Sequence, residues 1–235
     1  MLDFAQFDWV SFDCYGTLVD WESGILGYLR PLLQRKGLEL TDAQILSLYS
    51  EFEPREQSGD YHSYRDVLAS VVGDFARELH FDVTEAEASG LANSVREWTP
   101  FPDTVPALRE LKRSYRLAIL SNIDDELFQF SAQKLQVPFD CVVTARQARS
   151  YKPSLRNFEL LLEKLSVQRS RLLHVAESLY HDVAPAASLG IRTVWVNRRQ
   201  GKAAAASKYC EAQPDVEVSD LDKLVKLVTP NRRTQ

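Results

Sequence analysis

The sequence predicts an α/β protein: a doubly wound, Rossmann-like parallel sheet with a helical block inserted after its first strand. Three observations carry this prediction. Short runs, WVSFD (9–13), LAILSN (117–122), CVVTA (141–145), LLHVAES (172–178) and TVWVN (193–197), are apolar or β-branched with little polar alternation. Strands buried on both faces of a parallel sheet read this way. Helical stretches separate the later runs over residues 103–198, which makes right-handed βαβ units. Between the first run and the second, residues 21–98 hold apolar side chains at helical spacing.

Taken in order, the first strand runs into FDCYGTLVD (12–20). SGILGYLRPLLQRKG, TDAQILSLYSEFEPRE, YRDVLASVVGDFARELH and TEAEASGLANSVREW follow as helices, and TPFPDTV (99–105), with two prolines, is the return linker. The division expected is a core of residues 1–20 and 99–235, with a helical cap of residues 21–98. DTVPALRELKRSY (103–115) should be a helix capped by Asp103 or Thr104, with Pro106 in the first turn, where proline is tolerated. DDELFQFSAQKLQ (124–136), SLRNFELLLEKLS (154–166) and DVAPAASLG (182–190) are the later helices, the last closing on Gly190 as a C-cap.

Composition limits the function classes. The 235 residues are 45% apolar and 26% charged, with a formal charge of −5. A net negative chain lacks the basic footprint of a nucleic-acid binder; Arg232–Arg233 reads as a solvated tail. No apolar run reaches the ~20 residues of a membrane helix. MLDFAQFDWV has neither the basic leader nor the apolar core of a signal peptide. Cys14, Cys141 and Cys210 lack metal-type spacing and suit a reducing compartment. A cytoplasmic location is expected, with a small molecule as partner; a homodimer stays open.

The sparse polar residues near the strands point to a site. Asp13 ends the first strand, Ser121 and Asn122 the second, and Glu177 and Ser178 the LLHVAES strand. Lys152 follows CVVTA, and Asp182 opens the next helix. Each alone has an ordinary reading: Asp13 as a turn residue, Ser121 and Asn122 as caps, Lys152 as a loop lysine, Glu177 and Asp182 as helix-start acids. Together they fall at the carboxyl ends of successive strands, where open parallel sheets bind ligands. His62 and His181 read as structural or exposed, and His174 as a buried, hydrogen-bonded histidine. The aromatic stretch GDYHSY (59–64) reads as pocket lining or as core.

FDCYGTLVD (12–20), LSN (120–122), SYKP (150–153) and HVAESLYHD (174–182) resemble the four ordered motifs of the haloacid dehalogenase-like hydrolases. The D-x-Y-G-T-L form resembles the L-2-haloacid dehalogenase branch. The resemblance implies that Asp13 is a nucleophile whose covalent intermediate splits one hard step into two. Thr17, Ser121 and Asn122 would hold carboxylate or substrate oxygens, with Tyr15, Ser121 and Asn122 lining the substrate site. Lys152 would keep Asp13 ionised, and Asp182 would fix the lysine or the hydrolytic water.

Position 15 separates the branches. The phosphatases of this family carry a second aspartate there, as a general acid worth ~10²–10⁴-fold. Tyr15 replaces it, which favours a leaving group that needs no proton, such as halide. Two departures oppose this. Dehalogenases of this type carry a cap arginine, but TDAQILSLYSEFEP (41–54) has none, and Arg55 and Arg65 read as surface residues. Glu177 also stands where phosphatases place a magnesium ligand. Three carboxylates, Asp13, Glu177 and Asp182, would then face one lysine, and each like-charge pair at ~4 Å costs about 4 kcal/mol at an effective dielectric of ~20. Either Mg²⁺ bridges Asp13 and Glu177, or Glu177 is protonated or turned away. The leading expectation is a hydrolase of small 2-substituted carboxylic acids needing no cofactor. The alternatives are a Mg²⁺-dependent phosphate or phosphonate hydrolase, and a non-catalytic binding protein that keeps the site.

Overall fold

The computed structural model describes residues 2–199 and 210–228; the tail arginines Arg232 and Arg233 lie outside the described residues. Strand β1 (Trp9–Phe12) leads into four helices, α1 (Trp21–Arg35), α2 (Asp42–Glu56), α3 (Tyr64–Glu78) and α4 (Glu85–Ser94). Helix α5 (Thr104–Lys112) then returns the chain to β2 (Arg116–Ser121). Next come α6 (Asp125–Leu135), β3 (Cys141–Thr144), a short α7 (Ala145–Ala148), α8 (Leu155–Leu165) and β4 (Leu172–Ala176). A π-helical turn, Leu179–Val183, runs into α9 (Ala184–Ser188), followed by β5 (Arg192–Val196), β6 (Val216–Val218) and α10 (Leu221–Val228).

All six strands pair in parallel, in the order β3-β2-β1-β4-β5-β6. In the centre, Val10 lies between Leu117 and Leu173. Side chains alternate between two covered faces. Val10, Phe12, Leu117, Ile119, Leu173 and Val175 join one apolar cluster with Leu108 and Leu111 of α5 and Leu127 of α6. Trp9, Ala118, Leu120 and Leu172 join another with Phe158 and Leu161 of α8. Burial on both faces is why the strand runs lack polar alternation.

Among the described residues, no sheet strand comes from residues 21–98. Each helix of this block starts on a side-chain cap that local sequence supplies: Asp20, Thr41, Ser63 and Thr84 each accept from a backbone N–H in the first turn. Thr41 with Gln44, and Thr84 with Glu87, complete capping boxes. The apolar side chains of the block, Ile25, Leu29, Leu68 and Val71 among them, belong to the same cluster as Phe12 and Leu18. One apolar cluster thus runs from the core into the insertion.

Two local expectations change. Asp103 stands at the N-cap of α5 without capping it. Its carboxylate instead accepts from Arg198 at 3.1 and 3.2 Å and from the Leu221 N–H at 2.7 Å, tying α5 to the last helix. The segment 182–190 is not one helix: its first part is the π-helical turn, and Gly190, at φ +74°, closes α9. Among the described residues no helix is long and apolar enough to cross a membrane.

Candidate active site

Asp13 follows the last residue of β1, and its N–H donates to the Val175 carbonyl of β4 at 3.1 Å. That bond holds the carboxylate at the carboxyl edge of the two central strands. Gly16 makes the turn that follows, at φ +97°. A Cβ there would come 3.1 Å from the Trp21 indole nitrogen and 3.6 Å from Glu177 Oε2, so the turn needs glycine in both backbone and space. Thr17 then donates to Asp13 Oδ2 at 2.8 Å and accepts from the Glu177 N–H at 2.9 Å. One hydroxyl joins the loops after β1 and β4.

The other oxygen of Asp13 faces Lys152. Its Nζ donates to Asp13 Oδ1 at 2.8 Å, Asp182 Oδ1 at 2.6 Å and the Leu120 carbonyl at 3.0 Å. All three ammonium protons are used, in a place where the lysine side chain is 2% exposed. The Asn122 side chain sets this lysine: Oδ1 accepts from the Lys152 N–H at 2.7 Å, and Nδ2 donates to the Lys152 carbonyl at 3.1 Å. Asn122 was expected to meet substrate, and its amide is spent on the lysine backbone instead. Asp182 is set in turn by His174, whose Nε2 lies 2.9 Å from Oδ1 while Nδ1 lies 2.8 Å from Ser11 Oγ. His174 is therefore buried and hydrogen-bonded, as its sequence context indicates.

Burial dominates the electrostatics and the neighbours oppose it. Desolvation works against the charge of Lys152, yet Asp13 and Asp182 together raise its pKa. For Asp182 burial again penalises the charge, but Lys152 and His174 hold the carboxyl below its ordinary range. Burial, helped by the charge of Asp182, pushes Asp13 up against the pull of Lys152 and Thr17. Glu177 is driven up to about 7, first by burial and then by Asp13 and Asp182. A second cation also stands beside it: Arg199 Nε is 3.6 Å from Glu177 Oε1. The expected imbalance of three acids against one lysine is eased by a protonatable Glu177 and by the charge of Arg198, while Arg199 is shared between Glu177 and Glu22.

These side chains open on a cavity of about 60 Å³ lined by Asp13, Tyr15, Ser121, Asn122, Lys152, Glu177 and Asp182 from the strand ends. Trp21, Glu53, Gln57 and Tyr64 of the inserted helices line it from the other side, with Ser178 and His181. Two buried polar atoms here lack a hydrogen-bond partner, Ser121 Oγ and Asp182 Oδ2. Tyr15 is half-buried; its hydroxyl bonds Ser131 Oγ at 2.8 Å and its ring meets Trp98 edge-on. His181, read from sequence as structural or exposed, proves to be a lining residue because the π-helical turn carries it over the strand ends.

Arg55 and Arg65 do not line the cavity. Arg55 is exposed and pairs with Asp74 at 2.5 Å, and Arg65 donates to Asn93 at 2.8 Å. Tyr64 of GDYHSY lines the cavity, whereas Tyr61 stacks on Tyr151. Sequence reasoning passed over Glu53 and Arg199, which no local pattern marks, whereas Tyr64 belongs to GDYHSY, read from sequence as pocket lining or core.

A divalent ion such as Mg²⁺ needs near-octahedral oxygens at about 2.0–2.1 Å. Both Asp13 oxygens are engaged by Lys152 and Thr17, and Glu177 faces Arg199. Among the described residues no group of three or more His, Cys, Asp or Glu is placed to hold a metal. The donor set suits the lysine already there and does not fit a metal bridged by Asp13 and Glu177.

This arrangement lies at the strand ends of a doubly wound core, and comparison with known proteins identifies a family of hydrolases. Residues 7–190 match the model of the haloacid dehalogenase-like hydrolases, and the chain belongs to that family. Haloacetate dehalogenase H-2 of Moraxella sp. (strain B) is 28% identical over 93% of this chain and 96% of its own length. The (S)-2-haloacid dehalogenase of Pseudomonas sp. (strain YL) is 28% identical over 93% of both chains. Among solved structures, the L-2-haloacid dehalogenase from Xanthobacter autotrophicus with chloropropionic acid covalently bound superposes with a TM-score of 0.80. That pair is 22% identical, with 96% of this chain and 99% of the other covered.

Proposed function

We propose that the protein is an aspartyl-nucleophile hydrolase of the (S)-2-haloacid dehalogenase type, acting on small 2-substituted carboxylic acids. The carrying observation is Asp13: a carboxylate aimed into the cavity, with Lys152 on one oxygen and Thr17 on the other. Asp13 attacks C2 of the substrate, a carbon–oxygen bond forms, and the halide leaves with the electron pair of the broken bond. Water then adds to the carboxyl carbon of the resulting ester. The 2-hydroxy acid departs, and the proton released leaves Asp13 as a carboxylate again. Asp182 Oδ2, buried without a partner, is suited to orient that water, and the Ser121 hydroxyl is suited to bind the substrate carboxylate. Residues 21–98 act as the cap that keeps bulk water from the ester.

Tyr15 supports a leaving group that departs as an anion, because its hydroxyl is turned to Ser131 and the position offers no carboxylic acid. The names of the curated relatives support the same reaction class. On this reading no metal is required. A Mg²⁺-dependent phosphate or phosphonate hydrolase is the second reading, favoured by one observation, the carboxylate of Glu177 beside Asp13. Halide release from L-2-chloropropionate in excess EDTA separates the two. Undiminished release is expected; no release, with Mg²⁺-dependent phosphate release from a simple ester, would reverse the order. A binding protein without turnover is ruled out by any hydrolysis that Asp13→Asn abolishes.

A further inference from the structure

We propose that Glu53 is a specificity-determining residue of this site, and that it selects substrates carrying an ammonium group on the end remote from Asp13. The inference deepens the haloacid reading and takes from it the orientation of the substrate, with the reacting carbon at Asp13.

Glu53 is on α2, in the stretch where the sequence lacks the cap arginine, and its residue is 8% exposed. It lines the same cavity as Asp13. Tyr49 donates to Glu53 Oε1 at 3.1 Å and Tyr64 donates to the same atom at 2.5 Å. Both bonds fall on one oxygen, so the tyrosines fix the carboxyl and leave Oε2 outside the pair. Among the described residues no lysine or arginine is bonded to it: Arg55 is taken by Asp74, and Arg65 by Asn93.

The charge of the cavity points the same way. Its lining holds four carboxyl groups, Asp13, Glu53, Glu177 and Asp182, and among the described residues that line it Lys152 is the single lysine or arginine. That lysine is already saturated by Asp13, Asp182 and the Leu120 carbonyl. Burial raises the Glu53 carboxyl while the bonds from Tyr64 and Tyr49 pull it down, so a second carboxylate on the substrate would find neither a cation nor a spare donor there. An ammonium at Oε2 would hold Glu53 as a carboxylate, and charge-assisted hydrogen bonds are roughly twice as strong as neutral ones. At the other end, the buried and unpartnered Ser121 hydroxyl is free to donate to the substrate carboxylate. The cavity therefore reads as a two-ended pocket, taking an acid at Ser121 and an amine at Glu53. A 2-halo acid with an amino group on the neighbouring carbon has this pattern.

Binding tests the inference without turnover, so its failure is distinct from failure of the haloacid reading. Titration calorimetry of the whole protein would compare propionate with 3-aminopropionate, in the native chain and in Glu53→Gln. The conservative amide keeps acceptors for Tyr49 and Tyr64, and thermal melting checks that the variant is folded. The amine should bind about tenfold or more tightly than propionate, since hydrogen bonds to charged groups contribute about 1.5–3 kcal/mol. In Glu53→Gln the preference should shrink to less than about threefold, with propionate binding little changed. Equal binding of the two acids by the native chain would overturn the inference, as would an amine preference that survives in Glu53→Gln. Halide release from L-2-chloropropionate, measured alongside, reports on the haloacid reading alone.

Discussion

The ammonium of Lys152 stands 2.8 Å from Oδ1 of Asp13, with both side chains almost wholly removed from water. Asp182 completes the arrangement at 2.6 Å. Neither carboxylate has a second lysine or arginine within bonding distance among the described residues. The pair is therefore one electrostatic unit, and its loss should be felt in stability as well as in turnover.

Replacing Lys152 with Met should abolish hydrolysis and destabilise the fold by about 3–5 kcal/mol near neutral pH, because two buried carboxylates lose their counter-charge. The sign with pH follows from Asp182, whose folded pKa lies below its ordinary value. Its stabilisation is present above the unfolded pKa and is lost as pH falls through the folded one. The gap between native chain and Lys152→Met should then narrow at acid pH, as the carboxylates of the variant take up protons. Urea unfolding at pH 7.5 and at a pH below the ordinary aspartate value of 3.8 measures it. A gap that is small at both pH values would contradict the coupling.

Glu177 gives the opposite slope. Its carboxyl is raised from 4.5 to about 7, so its favourable contribution is complete below the unfolded value and disappears as pH climbs through 7. Between pH 4.5 and 8 the native chain should lose up to about 3 kcal/mol relative to Glu177→Gln, at 1.36 kcal/mol per unit. Chemical denaturation of the two proteins across that range checks the claim. Parallel stability curves would mean that Glu177 titrates normally.

Tyr15 tests the leaving-group argument. Its hydroxyl bonds Ser131 at 2.8 Å and is not offered to the cavity. Tyr15→Phe should keep halide release within about threefold of the native rate and lose about 1 kcal/mol of stability, the ordinary contribution of one hydrogen bond. A loss of ~100-fold or more, on the scale of general acid catalysis, would show the phenol acting as an acid.

The strand ends were legible in the sequence because parallel strands bury both faces, so the polar residues that terminate apolar runs stand out. Asp13, Ser121, Lys152, Glu177 and Asp182 were found this way, and they do meet at one cavity. Strand β6 was not seen: Val216–Val218 is three residues long, too short to show a period. The far wall was legible only in part: GDYHSY marked Tyr64 as pocket lining or core, and nothing marked Glu53. Glu53 and Tyr64 sit on different helices, and their hydrogen bond spans eleven positions that no local pattern marks. Arg199 follows the last central strand as one more surface-type arginine, and only folding brings it beside Glu177. Asn122 shows the converse limit, since a motif places the residue but not the direction of its amide.

The central claim is that Asp13 itself forms the covalent bond to substrate. A single turnover in oxygen-18 water, with protein in excess over L-2-chloropropionate, tests it most directly. Water that hydrolyses an Asp13 ester leaves its oxygen on the enzyme in the first turnover. Mass spectrometry of the peptide containing Asp13 should then show one oxygen-18 atom in the carboxylate, with unlabelled 2-hydroxypropionate as product. Label found wholly in the product, with the Asp13 peptide unchanged, would mean that water attacks the substrate directly and that Asp13 is not the nucleophile.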